Sequence, residues 1–105
     1  MQHTTRDGKV AVLYSPGYGT GWYTANLKHR SLLTHPKVVE MVEAGRQAEI
    51  DREWIRKNLG IKHCNCKGAH QLTIEWLPVD TNFCVDEKNG SEYIILVKKP
   101  VRNPS

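Results

Sequence analysis

The chain has 105 residues, of which 39% are hydrophobic and 25% are charged, and its formal net charge at pH 7 is +4. This length and composition predict one folded domain and exclude a disordered chain. The positive charge excludes an acidic mimic of DNA, and no segment approaches the run of about 20 apolar residues that crosses a membrane. The start, MQHTTRDGK, lacks the apolar stretch of a signal peptide, so we expect a cytoplasmic protein with reduced cysteines.

The first predicted element is a strand that ends in a glycine-rich loop. Residues 1–8 are polar and are expected to be disordered. Residues 9–15 are apolar on both faces, which is typical of an inner strand. Pro16 and Gly17 end the strand, and the sequence GYGTGW follows.

Two helices are predicted next. Thr34 is a suitable N-cap, and Pro36 fits the first turn of a helix that ends at Gly45. A second helix is expected from about residue 46 to residue 58, with Gly60 after its end. We favour two helices because a glycine inside one helix costs about 1 kcal/mol.

Three strands complete the predicted domain, at residues 71–77, 82–87 and 91–98. Asn89-Gly90 lies between the last two and predicts a type I′ hairpin turn. The predicted fold is therefore α+β in the order β-loop-α-α-β-β-β, over residues 9–99, with a loose tail at 100–105. We expect one sheet of about four strands, with the helices packed on one face and the first and last strands paired at its centre.

The glycine loop is the leading candidate for a binding site. Its glycines either form a tight turn that packs the aromatic rings, or expose the backbone N–H groups to an anion or a partner. The Gly17–Gly21 segment could thereby hold a nucleotide or another small molecule. Trp22 is the tryptophan expected at an interface, and the second helix adds basic side chains. The candidate contact residues are Tyr18, Gly19, Thr20, Gly21, Trp22, Tyr23, Arg52 and Arg56.

A second candidate is the run HCNCKGAH at residues 63–70. Thiolate and imidazole are zinc ligands, which makes Cys64, Cys66 and His70 candidate ligands of a zinc-supported nucleic-acid binder. The spacing is C-x-C rather than the usual C-x-x-C, so the alternative is a polar loop without a metal, and no cofactor is predicted. Asp86, Glu87 and Glu92 are expected in a solvated turn, and no spacing links a nucleophile with a base and an acid, so we do not predict an enzyme.

Two motifs together carry a resemblance to a family. VLYSPGYGTGW resembles the Y-G-x-G-W motif of small phage and prophage proteins, and IEWLPVDTNFCVDEKNGSEYI resembles the strand and acidic D-G-x-E-like hairpin that end those proteins. PKVVEMVEAG is similar to their short helix that ends in a glycine. Lys88-Asn89 departs from the Tyr-Asp usual in that hairpin, and the HCNCKGAH run is not typical of the family.

The resemblance implies a small accessory protein of a phage or mobile element. Such proteins often bind and inhibit a host protein, so we expect an anti-CRISPR or another anti-defence inhibitor. The expected partner is a host protein such as a CRISPR complex, with nucleic acid as an alternative and no membrane, and the protein itself is expected to be a monomer or a homodimer.

Overall fold

Two antiparallel sheets and two short α-helices form the domain in a computed structural model, which describes residues 3–17 and 21–97. The predicted α+β class is confirmed. The strands form a three-stranded sheet and a separate two-stranded hairpin, where the sequence predicted one sheet of about four strands. The predicted tail, residues 100–105, lies outside the described ranges.

The three-stranded sheet contains strands β1 (Thr5–Arg6), β2 (Lys9–Tyr14) and β3 (Thr73–Pro78), in the order β1-β2-β3. A two-residue turn with positive φ, at Asp7 and Gly8, joins β1 to β2. Asp-Gly is the turn signal of a hairpin, as Asn-Gly is. The expected disorder of residues 1–8 therefore does not extend to β1, which this turn folds back onto β2.

The two helices are α1 (Pro36–Glu43) and α2 (Arg52–Leu59). Gly45, at φ 69°, separates them, so the predicted division into two helices is confirmed. The N-cap of α1 is His35 rather than Thr34, because the His35 imidazole accepts a hydrogen bond from the Lys37 N–H at 3.2 Å.

Helix α2 begins later than predicted, because Asp51 caps it. The Asp51 carboxylate accepts a hydrogen bond from the Trp54 N–H at 2.8 Å, while residues Gln47–Glu49 form a separate 3₁₀ turn. Gly60, at φ 71°, ends α2 as predicted.

The main core lies between the helices and one face of the three-stranded sheet. Ala11 and Leu13 of β2 point into it and are fully buried. The Trp22 side chain is also 0% exposed there, and its indole N–H donates to the Leu32 carbonyl at 2.9 Å. The other buried members come from the helices and from the segments around residues 32 and 64–72: Leu32, Val38, Val39, Met41, Ile50, Ile55, Cys64, Ala69 and Leu72.

Strands β4 (Asn82–Lys88) and β5 (Ser91–Val97) form the hairpin, and Asn89 and Gly90 both have positive φ at its turn, as predicted. Tyr93, Ile94 and Leu96 of β5 line a cavity of about 300 Å³ together with Tyr14 and Leu77 of the three-stranded sheet. The hairpin therefore lies over the sheet face opposite the helices. The predicted pairing of β2 with β5 is wrong, because β2 has β1 and β3 as its neighbours and β5 pairs with β4.

Within the described ranges, the longest helices have eight residues, and none has the length and apolar character needed to cross a membrane.

Candidate functional site

The glycine loop is anchored by a buried carboxylate from β5. Glu92 is 1% exposed. Its Oε1 accepts a hydrogen bond from the Ser15 N–H at 2.8 Å, and its Oε2 accepts from the N–H groups of Trp22 and Thr24 and from the Thr24 hydroxyl, each at 2.8 Å. The Glu92 N–H also donates to the Ser15 carbonyl at 2.9 Å. One side chain therefore holds both ends of the loop, and the expectation that Glu92 belongs to a solvated turn is wrong.

A second segment closes over the same loop. Gly68 lies in a 3₁₀ helix (Lys67–Gln71), and a Cβ atom there would overlap the Gly21 carbonyl oxygen and crowd the Trp22 nitrogen. The loop is therefore packed from two sides, by β5 and by the 3₁₀ helix. This close packing is what the tight-turn interpretation predicts for the glycines.

The predicted contact residues of the loop separate into three groups. Tyr18, Gly19 and Thr20 lie outside the described residues. Gly21 and Trp22 are buried, so the expectation that the Trp22 ring lies at an interface does not fit its place in the core. Tyr23 is half-buried.

The two arginines predicted to help the loop are exposed on α2. Arg52 lines a cavity of about 550 Å³ together with residues 62–67, and Arg56 is not among the lining residues. The structure therefore brings Arg52, but not Arg56, to the HCNC segment.

The structure does not gather the candidate zinc ligands into one cluster. Cys64 is buried, Cys66 is half-buried, and His70 is exposed in the 3₁₀ helix. Within residues 3–17 and 21–97, no group of three or more His, Cys, Asp or Glu side chains is arranged to hold a metal.

The Cys64 thiol also has the wrong acidity for a nucleophile. Burial, together with the nearby Cys66, raises its pKa to about 11 against the opposing effect of the Arg52 charge. The thiolate is the reactive form of cysteine, so at neutral pH Cys64 is present as a protonated, unreactive thiol.

An exposed apolar stripe runs along one face of the hairpin. Tyr93, Ile95 and Val97 alternate along β5 and are 42%, 38% and 47% exposed, respectively. Cys84, also exposed, lies directly opposite Ile95 on β4. We call these three residues of β5 the hairpin stripe. Leu96, on the opposite face of the same strand, is 60% exposed, so the exposed apolar surface of β5 is not confined to the stripe. The contiguity of the stripe distinguishes it from the scattered exposed apolar residues of ordinary surfaces.

Sequence reasoning missed the hairpin stripe because β5 is apolar on both faces, which predicts a central strand. The burial of Glu92 could have been predicted from the alternation of side chains between the two faces of β5. Glu92, Ile94 and Leu96 point to the same side of the strand, so a side chain in register with Ile94 was a candidate for burial.

Comparisons of the chain with protein-family models, curated proteins and solved structures found no match. The resemblance to phage and prophage proteins therefore rests on the sequence motifs.

Proposed function

We propose that this is a small binding protein that acts stoichiometrically on a host protein, as an anti-CRISPR or another anti-defence inhibitor would. The observation that carries the proposal is the hairpin stripe. This strand face has three neighbouring apolar side chains, each more than a third exposed. Moving such side chains from water into an apolar interface lowers the free energy. Contiguous apolar surface of this kind marks protein interfaces.

The residue types of the stripe also fit a protein partner. Tyrosine is enriched among the residues that dominate binding energy, because it combines a large apolar ring with a polar hydroxyl. Charged side chains flank the stripe at the turn, where Asp86 and Lys88 lie on the same hairpin face. An apolar centre with a polar rim is the common organisation of an interface.

This proposal moves the expected contact from the glycine loop to the hairpin. The anchoring of the loop by Glu92 and its packing against Gly68 assign Gly21 and Trp22 a structural role. The anchored loop in turn fixes the start of β5, because Glu92 is part of that strand. The loop therefore supports the hairpin that presents the stripe.

The test is an affinity capture from host lysate with three forms of the protein. The hairpin variant Tyr93→Thr/Ile95→Thr removes apolar surface but keeps β propensity, since threonine is favoured in strands. The matched control is Leu27→Thr, which removes an apolar side chain that is 66% exposed and lines a cavity to which no residue of the hairpin contributes.

We expect wild type and the Leu27→Thr control to retain one nuclease-resistant protein at stoichiometric yield, and the hairpin variant to lose it. Equal capture of the nuclease-resistant partner by all three forms would contradict the proposal, as would the loss of every protein partner after nuclease treatment. Thermal unfolding of the variants checks that the hairpin substitutions leave the domain folded.

A further inference from the structure

A basic cavity lies between the start of α2 and the segment that follows the helix. Its volume is about 550 Å³. Among the described residues that line it, none is acidic, and four carry basic side chains. The lining residues are Arg52, Lys62, His63, Cys64, Asn65, Cys66 and Lys67.

The cations of this cavity are available to a ligand. The ion pairs formed by the described residues, Arg6–Glu43 and Arg46–Glu49, involve none of them. Asp51, next to Arg52 in the sequence, directs its carboxylate to the Trp54 N–H at the start of α2. Positive charge therefore accumulates around the cavity without a described carboxylate to neutralise it.

Cys64, the buried residue of the cavity lining, contributes no negative charge. Burial raises the pKa of the Cys64 thiol to about 11, so the group that lies among the cations is neutral at physiological pH. Arg52 lowers the same pKa, which means that its positive field reaches Cys64.

The segment that carries the lysines is held in place by Asn26. The Asn26 amide N–H group donates to the carbonyls of Trp22 and Asn65, each at 2.8 Å, and its oxygen accepts from the Asn65 N–H at 2.7 Å. The Asn65 side chain in turn accepts from the Lys67 N–H at 3.1 Å. This network joins the segment to the end of the glycine loop, so the backbone under the cations is pre-organised for binding.

The positive surface continues past the cavity. His63 also lines an adjoining cavity of about 350 Å³, whose other lining residues include Lys28 and His29. Cations spaced along two connected depressions suit a ligand with repeated negative charges more than a single carboxylate.

We propose that the basic cavity binds phosphate groups, from a nucleotide or from a single-stranded nucleic acid, through Arg52, Lys62 and Lys67. Arginine offers a planar fork of donors that matches phosphate oxygens, and lysine adds a mobile point charge. A volume of about 550 Å³ lies within the range of pockets that hold small ligands. This site is separate from the hairpin stripe, and its test does not depend on the protein partner.

The measurement is fluorescence anisotropy with a labelled oligouridylate of about twelve nucleotides, a length within the usual single-strand site sizes. AMP and inorganic phosphate serve as competitors. The cavity variant is Arg52→Gln/Lys62→Gln/Lys67→Gln. The matched control is Lys9→Gln/Arg30→Gln/Lys57→Gln, which removes the same formal charge from exposed residues outside the cavity lining.

We expect the wild-type protein to bind the oligonucleotide, the control to retain affinity within about threefold, and the cavity variant to lose at least tenfold. Three phosphate contacts predict a slope of about −2 for the logarithm of the binding constant against that of the salt concentration, and the cavity variant should flatten it. Competition by AMP at concentrations similar to the oligonucleotide would identify a nucleotide site, whereas displacement by oligonucleotides alone would identify a nucleic-acid site.

Equal losses in the cavity variant and the control would overturn the proposal, because binding would then depend on overall charge. Failure of the wild-type protein to bind the oligonucleotide, AMP and phosphate would overturn it as well. The single variant Lys62→Gln provides a second test if the triple variant unfolds, and a salt slope equal to that of wild type would count against the site.

Discussion

Replacing Glu92 with glutamine should destabilise the whole domain, because this carboxylate is the acceptor for three backbone N–H groups and one hydroxyl. A carboxamide has one oxygen and one NH₂ group. If its oxygen takes the Oε2 position, the Ser15 N–H faces another donor and loses its acceptor. If it takes the Oε1 position, the N–H groups of Trp22 and Thr24 lose theirs.

The cost follows from the more favourable of these two orientations. A buried donor without a partner costs about 1 to 3 kcal/mol, and the bonds that remain change from charged to neutral acceptors, which are roughly half as strong. We therefore expect Glu92→Gln to lower the free energy of unfolding by about 3 kcal/mol. For a domain of this size that corresponds to a fall in Tm of roughly 15 °C.

Chemical denaturation of the variant measures this loss, and Glu75→Gln is the matched control. Glu75 is an exposed residue of β3, so the same substitution there should change stability by less than about 0.5 kcal/mol. Amide hydrogen exchange adds a local reading, since the Trp22 and Thr24 N–H groups should exchange faster in the Glu92 variant. A loss below about 1 kcal/mol, with exchange at both amides unchanged, would refute the anchoring role of Glu92.

Three further predictions concern the packing at Gly68, the reactivity of the cysteines and the cap of α1. Gly68→Ala should destabilise the domain by about 2 kcal/mol, because its Cβ would overlap the Gly21 carbonyl; an unchanged denaturation midpoint would contradict this packing. With iodoacetamide at about pH 8, peptide mapping should find Cys84 modified well before Cys64, whose pKa is raised to about 11; preferential labelling of Cys64 would be the opposite result. Burial lowers the pKa of His35 below its ordinary value of 6.5, so its contribution to stability is present above about pH 6.5 and is lost as pH falls through the lowered pKa, where protonation removes the cap. His35→Asn caps without titrating and should lose less stability below pH 6.5, and identical pH profiles would count against the cap.

Local features were predictable because a few neighbouring residues determine them. Gly45 separates two helices, Gly60 ends the second, and Asn89-Gly90 turns the hairpin, each through a positive φ that glycine or asparagine adopts readily. The same rule would have predicted the turn at Asp7-Gly8, so β1 was accessible to sequence reasoning.

The pairing of the strands was not predictable in the same way, because an apolar strand face does not specify which other element packs against it. β2 is apolar on both faces because helices pack on one face and the hairpin on the other. β5 has a similar pattern, yet Tyr93, Ile95 and Val97 on one face and Leu96 on the other are exposed. The same composition therefore describes an inner strand in one case and an exposed stripe in the other.

The candidate sites depended on long-range contacts. Glu92 reaches Ser15 and Trp22 across most of the chain, and the cavity that Arg52 lines also needs residues 62–67. The sequence identified Arg52 as a candidate binding residue. The other basic residues of its cavity, Lys62 and Lys67, could be assigned to the same site only from the three-dimensional structure.

The most direct test of the proposed function is a calorimetric titration of the captured host protein with the purified wild-type protein at several temperatures. We predict saturation at a simple stoichiometric ratio and a negative heat-capacity change, which marks burial of apolar surface. We also predict at least a tenfold loss of affinity for Tyr93→Thr/Ile95→Thr and no comparable loss for Leu27→Thr, since only the first removes apolar side chains of the hairpin stripe. Unchanged affinity in the hairpin variant would contradict the proposal that this stripe is the binding surface.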